Sequence, residues 1–166
     1  TLIRDNIKPF KVKSVDGFAM LLNLNKLNNT SYFKNFKYFD ENIFLFLEND
    51  DLCKKLIDIN ENIYIAPNAK INHLGGGAVN KKFSYEIELS RNWHWIWSKF
   101  YFNKKHNGFF YAFLNGAPTF LSAIIKYIFY NILNNKKKSQ IYLHRSLGYF
   151  NALIGKKSFF RPKIKN

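Results

Sequence analysis

The chain has 166 residues, enough for one domain with a real core, and its 47% hydrophobic and 22% charged residues exclude a disordered composition. A formal charge of +15 raises nucleic acid or an anionic membrane as partners, yet Asn, Lys, Ile, Phe and Tyr are abundant together, which drift towards A/T-rich codons also produces. The single cysteine, Cys53, excludes an internal disulfide framework and fits a reducing compartment, and no metal-binding spacing of Cys and His is present.

In chain order, the sequence enters on Thr1 with neither a start methionine nor a signal peptide, which is the expectation for the tail of a longer polypeptide. Residues 1–13 read as an extended arm, because Lys8-Pro9 disfavours helix before the proline. Val15 to Leu22 is a short apolar run opened by Asp16-Gly17 and reads as a buried strand following a tight turn. Asn23 to Asn35 is turn-rich, with one helical turn around Leu24 and Leu27. Glu48 to Ile59 carries apolar residues at 52, 53, 56, 57 and 59 behind an acidic start, the period of a helix that packs Cys53 into a core. Ile63 to Pro67 and Ala69 to His73 read as strands, giving a strand, helix, strand alternation of the α/β class.

After Gly77 the pattern changes. Phe83 to His106, Phe109 to Leu133 and Gln140 to Ile154 show long apolar and aromatic helical periods, with breaks expected at Gly108, at Gly116-Ala-Pro118 and at Asn134 to Lys138. Phe120 to Leu133 is too short for the roughly 20 apolar residues of a spanning helix and contains Lys126. With Lys136 to Lys138 beside it, the segment reads either as an interfacial helix or as one buried against its own domain. The division expected is 1–80, sheet plus helix, and 81–166, a helical extension with possible membrane association.

Two features suggest chemistry. Glu48 and Asp51, three apart, share a helix face; as cap residues they satisfy free N–H groups and complement the helix dipole. The apolar run Ile43 to Leu47 before them would also aim Glu48 out of the carboxyl edge of a sheet, where α/β ligand sites lie. His73, followed by Gly75-Gly76-Gly77, sits where backbone can approach a phosphate closely. Further on, Trp93 and Trp97 share a helix face as core or interface anchors, and Arg91 and His94 are candidates to reach an acceptor phosphate.

The ordered set Val15-Asp-Gly17-Phe-Ala-Met-Leu-Leu22, Phe39-Asp-Glu41, Phe44-Leu-Phe-Leu-Glu48-Asn-Asp-Asp51-Leu-Cys-Lys-Lys55 and Pro67-Asn-Ala-Lys-Ile-Asn-His73 resembles the acceptor-side half of family 2 glycosyltransferases of the GT-A fold, nearest to the rhamnosyltransferase-like subgroup. The likeness covers roughly residues 10–80. It implies the C-terminal part of a GT-A fold with a helical extension, and inverting sugar transfer from a nucleotide-diphospho-sugar to a saccharide or lipid-linked acceptor in cell-surface polysaccharide synthesis. It further implies Glu48 as the base with Asp51 orienting the helix start or a basic partner, Asp16 and Gly17 at the acceptor, and His73 at both a divalent metal (Mg²⁺ or Mn²⁺) and the donor diphosphate, with Gly75 and Gly76 beside the latter. The expected location is the cytoplasmic side of an inner membrane.

The chain departs from the family at Asn49, where the pattern commonly has Asp, and the nucleotide-binding half has no counterpart in these residues, so the isolated fragment is expected to be inactive. The rival expectation is a non-catalytic basic and aromatic module for a membrane surface or nucleic acid. Nucleic acid is not the partner expected, because the aromatics lie in long apolar helices and no RNP-like strand motif is present.

Overall fold

The computed structural model describes residues 8–73 and 80–162. The chain divides into two compact units, Thr1–Glu41 with Glu48–Gly75, and Asn42–Leu47 with Gly76–Asn166. The first unit combines helices with a small two-stranded sheet, and the second is helical.

In the first unit, β1 (Phe10–Val12) pairs antiparallel with β2 (Ile63–Ile65), with Phe10 opposite Ile65, Lys11 opposite Tyr64 and Val12 opposite Ile63. Between them lie α1 (Leu24–Asn28), a 3₁₀ turn over Ser31–Phe36, and α2 (Glu48–Asp58). α1 begins where the Asn23 side chain accepts from the Lys26 N–H. α2 begins on Glu48, Asp50 and Asp51, which complement the helix dipole. It ends on Asn60 in the left-handed region (φ 59°), with Glu61 N–H bonding Leu56 O at 2.8 Å and Asn60 N–H bonding Ile57 O at 2.9 Å, a Schellman cap. Its inner face buries Leu52, Cys53 and Leu56 against Leu27, Phe33 and Ile63.

Three expected strands are not formed. Val15 to Leu22 is irregular, with Phe18 57% exposed and Leu21 fully exposed, because Gly17 turns the chain and the Val15 carbonyl is engaged by a side chain of α2. Ala69 to His73 is irregular and exposed, its start folded by an Ala69 N–H to Ala66 O turn bond. Ile43 to Leu47, expected to end at a sheet edge, belongs to the second unit and docks on a helix there: Leu45 O accepts from Ser98 Oγ at 2.7 Å, and Phe46 meets Trp95 edge to face. Backbone groups used this way are withdrawn from strand pairing. The α/β alternation therefore reduces to one antiparallel pair.

The second unit is built from α3 (Ser84–Asn107), α4 (Phe109–Ile132) and α5 (Lys136–Leu153). Gly108, at φ 89°, makes the turn between α3 and α4. The expected break at Gly116-Ala-Pro118 is absent and α4 runs through it. A Cβ on Gly116 would lie 2.1 Å from Tyr149 Cε2, so the glycine serves the approach of α5 and not a turn. Pro118 forfeits one bond to the Leu114 carbonyl, while packing along α5 holds the helix on either side. Gly148 does the same against α3, where a Cβ would lie 2.4 Å from Trp93 O. Trp93, Ile96, Trp97, Phe100, Ala112, Tyr149 and Ala152 close the core, with Trp93 and Trp97 stacked 6.3 Å apart. Asn134 and Gly155 end α4 and α5 with the same Schellman bonds as α2.

Replacing Gly148 by Ala drives a methyl group into the Trp93 carbonyl, so Gly148→Ala is expected to lower the unfolding free energy of the second unit by about 2 kcal/mol. Urea unfolding followed by tryptophan fluorescence checks this, since Trp93, Trp95 and Trp97 are the chain's three tryptophans and all lie in that unit.

Candidate functional site

The first turn of α2 is tied by two hydrogen bonds to the segment at residues 14–15. Asn49 Nδ2 donates to Val15 O at 2.8 Å, and Ser14 Oγ donates to Asp50 Oδ1 at 2.7 Å. The Asp16-Gly17 turn is thereby held against the head of the helix, and a Cβ on Gly17 would stand 3.3 Å from Asn49 Cβ. Next in the chain, Phe18 stacks on His73, with ring centroids 5.0 Å apart and planes 17° apart. Asp16, Gly17 and His73 are all exposed. Asp16 and Gly17 are thus held at Asn49 and Asp50, the residues that follow Glu48, and His73 is joined to the same segment through Phe18; Ser14 and Phe18, which make these ties, were not foreseen. Gly75 and Gly76, expected at the diphosphate, lie outside the described residues.

Glu48 differs in kind from its neighbours. Its Oε2 is buried and has no hydrogen-bond partner, a state shared among the described residues by Glu86 Oε2 in the second unit. An unsatisfied buried carboxylate oxygen costs free energy that a hydrogen-bond donor brought by a bound group would recover. The two residues before it, Phe46 and Leu47, are bulky side chains at φ 68° and 67°, a left-handed conformation costing about 1–2 kcal/mol each. Strain of this kind clusters at functional sites.

Asp51 has a different position from Glu48. It is fully buried and pairs with Lys55 Nζ at 2.7 Å, one turn along the helix. The Lys55 side chain is 9% exposed and also donates to Tyr38 O at 3.4 Å. Removing one partner of such a pair strands the other charge and costs about 3–5 kcal/mol. This geometry makes Asp51 the brace of the helix start against its basic partner; the carboxylate is closed off from a substrate.

Asn49 also acquires a physical reason. Its amide is a donor to a carbonyl, a role an ionised aspartate cannot take because it only accepts. An aspartate at this position would lose that bond, leaving Ser14 to Asp50 as the tie between the segment and the helix.

A metal fits less well. Among the described residues no group of three or more His, Cys, Asp or Glu side chains converges to hold an ion. His73 would supply one donor.

In the second unit, His94 cannot reach an acceptor phosphate. It is fully buried, its Nε2 donates to Phe160 O at 2.8 Å, and its Nδ1 accepts from Ser158 Oγ at 2.9 Å. The carbonyl fixes the Nε2–H tautomer, since a carbonyl oxygen only accepts. Burial holds its pKa below the usual 6.5; the bond to Phe160 opposes this and the Arg161 charge adds to it. Arg91 lies over the Phe46 ring.

No protein-family model, no curated protein and no solved structure matches the chain.

Two outcomes are expected. Asn49→Asp replaces a donor with an acceptor facing the Val15 carbonyl, so it should cost about 1–2 kcal/mol and speed hydrogen exchange at residues 14–18, while leaving tryptophan fluorescence unchanged. His94 binds a proton more readily unfolded than folded, so its contribution is complete above pH 6.5 and is lost as pH falls below that value towards the lower folded pKa. The midpoint of unfolding of the second unit should therefore drop between pH 7 and pH 5.5, and His94→Gln should flatten that drop.

Proposed function

We propose that the chain is the acceptor-side part of an inverting glycosyltransferase and that Glu48 is its general base. The observation that carries this reading is the buried, unpartnered Oε2 of Glu48 at the head of α2, beside the Asp16-Gly17 turn. The resemblance of residues 10–80 to family 2 enzymes supplies the reaction class.

In this reading an acceptor hydroxyl, belonging to a saccharide or a lipid-linked saccharide, satisfies Glu48 Oε2 on binding and passes its proton to it as the oxygen attacks the anomeric carbon. The bond from that carbon to the nucleoside diphosphate breaks, and the diphosphate leaves with the electron pair from the opposite face, which inverts the centre. Asp16, exposed on the turn, hydrogen-bonds acceptor hydroxyls. His73, positioned by Phe18, donates to the diphosphate. A divalent metal would offset the charge on the leaving group; the described donors do not complete a site for it, and no step here depends on it.

The experiment is sugar transfer by the full-length natural polypeptide carrying this chain, with a panel of nucleotide-diphospho-sugars, in the presence and absence of Mg²⁺ or Mn²⁺. Glu48→Gln is expected to lower kcat at least about a hundredfold while leaving donor affinity unchanged, as loss of a general base does. Undiminished turnover in the variant would refute the assignment.

A further inference from the structure

The outer face of α4 carries a chemistry that the helix core does not use. Of this 24-residue helix only Ala112 and Ala123 are buried, and its most apolar window, with mean hydropathy 1.3, is 11% buried. At 100° per residue, Phe110, Leu114, Leu121, Ile125, Ile128 and Ile132 fall within an arc of about 60°. Their exposure runs from 52% to 80%. The face that packs on α5, through Ala112, Gly116, Phe120, Ala123 and Tyr130, lies on the other side. The stripe is continuous for roughly 33 Å at 1.5 Å per residue.

The distribution of charge says what covers it. Of the chain's 26 Lys and Arg residues, fourteen lie after Glu88, and all 11 acidic residues lie at or before it. Residues 89–166 therefore hold +14 of the formal +15, an asymmetry that uniform codon drift does not produce. Cations stand at both ends of the stripe: Lys104 Nζ lies 5.9 Å from the Phe109 ring at the start of α4, and the exposed Lys136, Lys137 and Lys138 follow its end. A second copy of the same face would bring these like charges together. A polyanion such as RNA would pair the lysines and leave the aliphatic stripe in water.

Spanning is opposed by the neighbour. α5 packs antiparallel along α4, from Tyr142 stacked on Tyr130 to Tyr149 stacked on Phe120, and carries His144 and Arg145 between those points. Threading α4 through hydrocarbon would carry His144 and Arg145 with it.

We propose that α4 lies in the plane of an anionic phospholipid bilayer, its Phe110 to Ile132 stripe sunk about 5–10 Å into the headgroup and acyl boundary, and the lysines at its two ends on lipid phosphates. This is independent of the glycosyl-transfer reading.

The test is co-sedimentation of the full chain with vesicles of phosphatidylglycerol and phosphatidylcholine, and with vesicles of phosphatidylcholine alone. Binding should be at least about tenfold stronger to the anionic vesicles and weaken with salt. The triple variant Leu121→Gln, Ile125→Gln, Ile128→Gln changes only exposed positions, so circular dichroism should be unchanged while the partition coefficient falls at least about tenfold. Replacing Lys136, Lys137 and Lys138 by Gln should remove much of the preference for anionic lipid. Wild-type binding by the triple variant would overturn the proposal, since it would leave electrostatics alone responsible. So would a lipid-free dimer that the triple variant dissociates, with no vesicle binding by the wild type.

Discussion

The amide of Asn49 fixes the geometry on which the candidate site depends. By donating to the Val15 carbonyl it holds an otherwise irregular, exposed segment against the first turn of α2, and Ser14 to Asp50 adds a second tie one residue further along the helix. The turn at Asp16-Gly17 and, through Phe18, the imidazole of His73 follow from that attachment. Beneath it, the Asp51–Lys55 pair braces the same turn from inside the core. Two acids three residues apart thus divide the work: Asp51 is spent on structure, and Glu48 keeps a buried oxygen unsatisfied.

What the sequence made legible was whatever repeats with a period. α2 and the three long helices follow from apolar residues at helical spacing, and the packing of Cys53 and of Trp93 with Trp97 follows from the faces those residues occupy. The short apolar runs were not legible, because four to eight hydrophobic residues satisfy a strand, a docked segment or a loop equally well. Val15 to Leu22 lost its ladder to a side-chain amide, and Ile43 to Leu47 lost its own to Ser98 and the aromatic rings of α3. Gly116 and Pro118 read as punctuation, yet the glycine exists for the ring of Tyr149, a contact 33 residues away in sequence that no local rule anticipates.

The site was legible in its parts and not in its joints. Glu48, Asp16 and His73 stand out as chemistry-bearing residues in the chain, whereas Ser14, Phe18 and the donor role of Asn49 emerge only when the loop is seen against the helix. Asp51 was expected to orient the helix start or a basic partner, and the partner is Lys55, four residues on; the depth of the pair's burial was not legible. The basic residues run through the whole chain, but the acidic ones do not. The resulting concentration of net positive charge after Glu88, beside an apolar stripe, becomes informative once α4 is seen to be a single uninterrupted helix.

The most direct test of the central claim is the unfolding free energy of Glu48→Ala. If the buried oxygen is held ready for an acceptor and not for the fold, the loss is limited to the helix-dipole contribution, within about 1 kcal/mol of the unmodified chain. A loss of about 3 kcal/mol or more, the size expected for breaking the Asp51–Lys55 pair, would show that the Glu48 carboxylate holds the structure together and would contradict the account.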